Sequence, residues 1–131
     1  MDIADMLGVP PEAYTRDPLS LVPALQNYVS RLPFEEFETS DWVTLHGDLL
    51  AYLADYLIRR HGARWCVVDD PAAPRGYRYV IEALGRDGEL RRVDPGDVIQ
   101  NEFKSLPVEV TRMLASAELT LRLSSRIVDA E

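Results

Sequence analysis

From Asp41 to Gln100 the hydrophobic period of this chain changes from helical to alternating and back, and each change falls on residues suited to make it. Trp42, Leu45, Leu49, Leu53, Tyr56 and Leu57 recur at three- and four-residue steps, which predicts a helix from Trp42 to about His61. Leu50, Tyr52 and Ile58 widen that stripe enough for burial on more than one side. Thr39-Ser40-Asp41 is a run of helix-start residues, with Asp41 read as the cap. At the other end Arg59, Arg60 and His61 suit the negative pole of the helix dipole, and Gly62 supplies the left-handed residue that stops the helix.

A sheet follows directly. Arg64-Trp65-Cys66-Val67-Val68 is apolar at every position from Trp65 to Val68, the pattern of a strand covered on both faces or central in a sheet. The Pro-rich loop Asp69–Gly76 leads to a second strand, in which Tyr77, Tyr79, Ile81 and Ala83 alternate with Arg78, Val80, Glu82 and Leu84. Tyr77 and Tyr79 are read as facing the core. Gly85-Arg86-Asp87-Gly88 is a turn, and Glu89–Val93 returns antiparallel. Asp94 caps the next helix with Pro95 in its first position, and that helix runs to about Lys104.

The flanks are less regular. Pro10-Pro11 and Asp17-Pro18 make residues 1–18 an irregular arm. Ser20 is read as the cap of a helix ending near Leu32, with Leu21, Leu25, Tyr28, Val29 and Leu32 on one face. Near the C-terminus Val110, Met113, Leu114, Ala117 and Leu121 trace a helix carried to about Leu123, although Leu119, Leu121 and Leu123 also alternate as in a strand. Residues 124–131 are read as a frayed tail. The sum is a single α+β domain: an antiparallel meander of at least three strands with three to four helices, mainly on one face.

Charge is segregated along the chain. The net charge is −8, but residues 1–58 hold ten acids and two bases, residues 59–92 five acids and eight arginines, and residues 93–131 seven acids and four bases. An acidic protein of this kind repels nucleic acid and anionic membrane in general. No apolar run reaches the ~20 residues a membrane span needs, and the acidic start Met1–Asp5 is unlike a signal peptide, which points to a soluble, cytoplasmic protein. Thirteen of the fourteen basic residues are Arg, with Lys104 the exception, a bias that resembles actinobacterial proteins.

Catalytic signatures are missing. Cys66 is the only cysteine, so no internal disulfide forms, and its apolar neighbours make it a core residue rather than a nucleophile paired with His46 or His61. His46 and His61 lie too far apart for a helical metal pair. They read as a satisfied structural histidine, either on the helix face of Leu49 and Leu50 or donating to Asp48 or Asp55, and as a helix-terminal cation. Asp69-Asp70 are turn formers, and the Glu35–Glu38 run is an acid-rich helix entry. Gly85–Gly88 lacks the Lys and the strand–loop–helix setting of a phosphate loop. No catalytic residue, cofactor or metal ligand is assigned. Arg75, Arg78, Arg86, Arg91 and Arg92 around Tyr77 and Tyr79 are read chiefly as cross-strand partners of Glu82, Asp87 and Glu89.

The order of a long helix ending Arg59-Arg60-His61-Gly62, the strand Arg64–Val67, a two-strand return and Val93-Asp94-Pro95 before a helix resembles small uncharacterised bacterial domains of unknown function. The likeness covers about residues 41–104. It implies the same helix–Trp-strand–meander–helix module, and partner-binding roles such as toxin immunity or regulation. The expected function is a non-catalytic protein-binding accessory module, immunity- or chaperone-like, acting on an unidentified protein partner or by self-association. Its candidate surface is Arg75, Arg78, Arg91 and Arg92 with the acidic Glu35, Glu36 and Glu38. The alternative is a small-molecule or nucleotide binder using the 69–79 loop near Trp65.

Overall fold

The computed structural model describes residues 18–123, so the N-terminal arm (apart from Pro18) and the C-terminal tail lie outside the described residues. A 3₁₀ turn at Pro18–Leu21 leads into α1 (Val22–Ser30), a second at Phe34–Glu36 into α2 (Thr39–His61), and the sheet follows as β1 (Arg64–Asp69), β2 (Tyr77–Leu84) and β3 (Leu90–Val93). Two helices complete the described chain, α3 (Pro95–Phe103) and α4 (Val110–Thr120). This is the expected α+β architecture, with strand order β1-β2-β3 and both pairings antiparallel.

The helix ends explain themselves. α2 begins earlier than the apolar stripe suggests: Glu38 is the cap, and Asp41 sits in the first turn, accepting from the Glu38 N–H at 2.9 Å. Gly62 stops α2 at φ 67°, as its position foretold. Asp94 caps α3 by accepting from the Gly96 N–H at 2.8 Å, with Pro95 at the first position. Ser20 does not cap α1 but lies inside the preceding 3₁₀ turn, and α4 ends at Thr120 rather than Leu123.

One hydrophobic cluster joins Leu21, Leu25 and Val29 of the N-terminal helical segment to Leu49, Leu53 and Leu57 of α2, to Ile81 and Val93 of the sheet, and to Met113 and Leu114 of α4. Buried polar groups stitch its margins. Gln26 donates to the Val108 carbonyl at 3.0 Å and accepts from the Val110 N–H at 2.7 Å, fixing α1 to the start of α4. Glu102, buried on α3, takes Arg112 Nε at 3.0 Å and the Glu109 N–H at 3.0 Å, which holds the α3–α4 connection in place. Gly85 is required by a close approach, since a Cβ there would stand 2.9 Å from the Leu121 carbonyl oxygen.

The sheet departs from expectation in one respect that matters for function. β1 is an edge strand, not a central one. Register places Trp65, Val67, Tyr77, Tyr79, Ile81, Ala83 and Val93 on one side of the sheet, the side that meets the helices. Ile81 is fully buried there, yet Trp65 is 46% exposed and Val67 and Tyr79 are each 55% exposed. The helix layer therefore covers β3 and the second half of β2 and stops short of β1. Tyr79 does not face the core, Tyr77 is half-buried, and Cys66, on the opposite side of β1, is only partly buried.

Candidate interaction surface

The arginines singled out by sequence are mostly spoken for. Arg92 donates to Glu82 at 2.9 Å, and Arg64 meets the same carboxylate at 2.6 Å. These three form a row across the open side of the sheet, with Glu82 almost fully buried beneath two exposed guanidiniums. Hydrogen bonds from Arg64 and then Arg92 hold the Glu82 carboxyl below the usual carboxylate range. Arg91 pairs with Asp87 and lies 3.5 Å from Glu89. Arg92–Glu82 is thus a cross-strand pair as expected, whereas Arg91 meets Asp87 and Glu89 of its own turn.

Arg78, expected to pair with Glu82, Asp87 or Glu89, instead lies among three other acids: Asp94 at 3.0 Å, Asp70 at 3.4 Å and Asp97 at 3.7 Å. Arg75 is exposed and makes no ion pair among the described residues. On the acidic side Glu35 and Glu36 are exposed in the 3₁₀ turn before α2, whereas Glu38 is the cap of α2. The structure does not bring these acids and arginines into one patch through any ion pair among the described residues.

His61 is the last residue of α2, the helix end at which it was expected. His46 Nε2 is 3.4 Å from the Gly96 carbonyl, not bonded to Asp48 or Asp55. His61 Nε2 is 2.6 Å from Glu118 Oε2, and the Tyr56 hydroxyl donates to that oxygen at 2.9 Å. Glu118 is fully buried, so this cluster pins α4 to the end of α2. Sequence did hold a signal for it: Glu118 falls four residues after Leu114 and three before Leu121, squarely on the apolar stripe of α4. Among the described residues no group of three or more His, Cys, Asp or Glu side chains could hold a metal ion, and no helix is long and apolar enough to cross a membrane.

Among the described residues two apolar surfaces stand out, besides the exposed Leu84–Leu90 pair and Leu119. One is the strip of Trp65, Val67 and Tyr79 along the uncovered sheet. Among the described residues no strand pairs with its outer edge. The Asp70 N–H bonds to the Gly76 carbonyl at 2.9 Å, in the register that pairs Arg64, Cys66 and Val68 with β2. The N–H and C=O groups of the alternate residues, Trp65, Val67 and Asp69, therefore point away from β2 at the free edge. The other surface is a groove of about 510 Å³ between α2 and α3, walled by Trp42, Phe103, Val43 and Leu106 with His46 and Gln100 as polar neighbours. Its aromatic wall is braced from behind: Trp42 stacks on Phe34 at 5.4 Å and meets Phe37 and Phe103 edge-on at 4.9 and 5.0 Å. Beside the 69–79 loop lies a smaller depression of about 290 Å³, lined by Asp69, Arg78, Arg92 and Asp94 among others.

Compared with known proteins, the chain matches no family, and no curated protein or solved structure matches it.

Proposed function

We propose that the chain is a non-catalytic protein-binding module that docks through the uncovered part of its sheet. The observation that supports this reading is the alignment of Trp65, Val67 and Tyr79, exposed side by side on a strand whose edge is open. Contiguous exposed apolar residues mark interaction surfaces, and large aromatics are the commonest anchors in them. An open edge adds main-chain hydrogen bonds to that recognition, as when a partner strand extends a sheet. Charge contributes steering rather than anchoring, because Arg78, Arg91 and Arg92 already face acids of this chain, leaving Arg75, Glu35 and Glu36 as exposed charges without an ion pair among the described residues. Immunity, chaperone-like and regulatory accessory roles all fit such a module.

The test is capture of partners from the host lysate by the tagged full chain, with Val67→Lys and Trp65→Ala as comparison baits and mass spectrometry as readout. A protein held by the wild type and lost from both variants, whose melting temperatures stay unchanged, supports the reading. Equal capture by all three baits overturns it.

A second reading is favoured by the α2–α3 groove, whose volume falls within the roughly 300–1,000 Å³ of small-molecule sites. It moves the small-ligand alternative away from the 69–79 loop. A metabolite panel that raises the melting temperature of the wild type but not of Val43→Glu supports it, and a flat panel removes it.

A further inference from the structure

We propose that β1 is a self-association edge: two copies of this chain join β1 to β1 in antiparallel register about a two-fold axis at Cys66, making one continuous six-stranded sheet. The inference deepens the binding reading above and rests on it, naming a second copy as the occupant of the strip.

Four observations on β1 converge. First, the outward-pointing groups of Trp65, Val67 and Asp69 are a donor–acceptor row with the spacing of a strand ladder. Natural sheets blunt such an edge with proline, lysine or a bulge, and Arg64–Asp69 has neither residue and keeps unbroken register with β2. Second, a two-fold axis normal to the sheet keeps the helix side of both copies on one side, so residues of like parity meet. With Cys66 on the axis, Trp65 stands opposite Val67 of the second copy and Val67 opposite its Trp65. The two exposed strips then cover each other, flanked by both Tyr79 rings.

Third, β1 is electrically polarised. At its start Arg64 and Arg92 share one carboxylate, Glu82, leaving an excess positive charge. At its end Asp70, Asp94 and Asp97 surround the single Arg78, with exposed Asp69 beside them, leaving an excess of negative charge. An antiparallel arrangement lays each positive end near the negative end of the other copy, whereas a parallel one would stack like on like. Fourth, among the described residues the helix layer stops short of β1, so a second sheet can approach without colliding with those helices.

Cys66 reports the register. Even-numbered β1 residues turn their backbone groups towards β2, so across the new seam Cys66 faces its copy as a non-hydrogen-bonded pair, with Cα atoms about 4.5 Å apart. That separation lies within the roughly 4.4–6.8 Å a disulfide spans. Because Cys66 is the only cysteine, any disulfide-linked dimer must be Cys66 to Cys66.

The experiment is sedimentation equilibrium of the full chain over a range of concentrations, followed by treatment with diamide, which takes up the two electrons and two protons released as two thiols become a disulfide. The expected species is twice the 14.8 kDa chain mass, trapped by diamide as a dimer that dithiothreitol dissolves and Cys66→Ser abolishes. Val67→Lys places two ammonium groups diagonally across the axis and should weaken association at least ~10-fold. A monomer at every concentration overturns the inference, and if Val67→Lys still loses a lysate partner, the protein-binding reading survives. A dimer indifferent to Val67→Lys and untrapped by diamide also overturns it, since the seam would then lie elsewhere.

Discussion

The two ends of the sheet's helix side are built from the same kind of residue and live in different solvents. Around Ile81, Ala83 and Val93 the strands lie under helices and the side chains are buried. Around Trp65, Val67 and Tyr79, on the same side and a few ångströms away, they are half exposed. Strand pattern is continuous across the boundary, so what changes is the reach of the helix layer. A single apolar strand surface is thus core at one end and exposed at the other, and the difference lies in what covers it.

That contrast is most easily broken from the buried side. Ile81→Ala removes a fully buried side chain from beneath the helices and should cost about 2–5 kcal/mol of stability, read by urea denaturation. A loss below ~1 kcal/mol would mean that the covered half is not packed as described. Somewhat smaller is the expected effect of Glu118→Ala, which removes the acceptor shared by the Tyr56 hydroxyl and His61. Leaving the buried Tyr56 hydroxyl without that acceptor should cost roughly 1–3 kcal/mol, and the same titration should show it. Glu118→Gln, which keeps one acceptor oxygen, should recover part of the loss.

The helices and the meander were legible because their signals are local. The stripe from Trp42 to Leu57, the stop at Gly62, the Asp87-Gly88 turn and the Asp94-Pro95 start each specify their element within a few residues. What sequence could not supply is where one element ends relative to another. Four apolar residues in a row at Trp65–Val68 suit an interior strand, and only the strand order reveals an edge. The buried carboxylates were hidden for a related reason. Glu118 lies on the apolar stripe of α4, but the groups that satisfy it and Glu82 are distant in sequence: Arg64 lies 18 residues from Glu82, and Tyr56 lies 62 from Glu118. The arginines of the candidate surface were visible as charges, but their pairing was visible only in part. Arg92 with Glu82 is a cross-strand neighbour, whereas Arg78 with Asp94 and Asp97 spans the sheet and a helix start.

The open side of the sheet offers a subtler probe. Arg64 and Arg92 hold the Glu82 carboxyl below its ordinary value of 4.5 in the folded chain. A depressed carboxyl pKa contributes stability that is fully present above the unfolded value and is lost as pH falls through the folded one. The stability difference between wild type and Glu82→Gln should therefore be constant at neutral pH and shrink below about pH 4.5. Asp87, lowered by Arg91, titrates in both proteins and cancels from the difference. Urea titrations at a series of pH values check this, and a difference that stays flat into acid would remove the Arg64–Glu82–Arg92 row as its source.

The smallest effect sharpens the comparison most. Val67→Thr keeps the β-branched shape and strand preference of the side chain while adding a hydroxyl that water can satisfy where more than half of the residue is exposed. In dilute monomer the change should fall within about ±0.5 kcal/mol, as for surface substitutions away from special features. The same chemistry at a buried position would strand that hydroxyl in the core at a cost of roughly 1–3 kcal/mol. A near-zero result in monomer, together with weakened association at higher concentration, places Val67 on an interface that monomer folding does not require. A large loss in dilute monomer would instead mean that something within the chain already covers the strip, and the distinction between the two ends of the sheet would disappear.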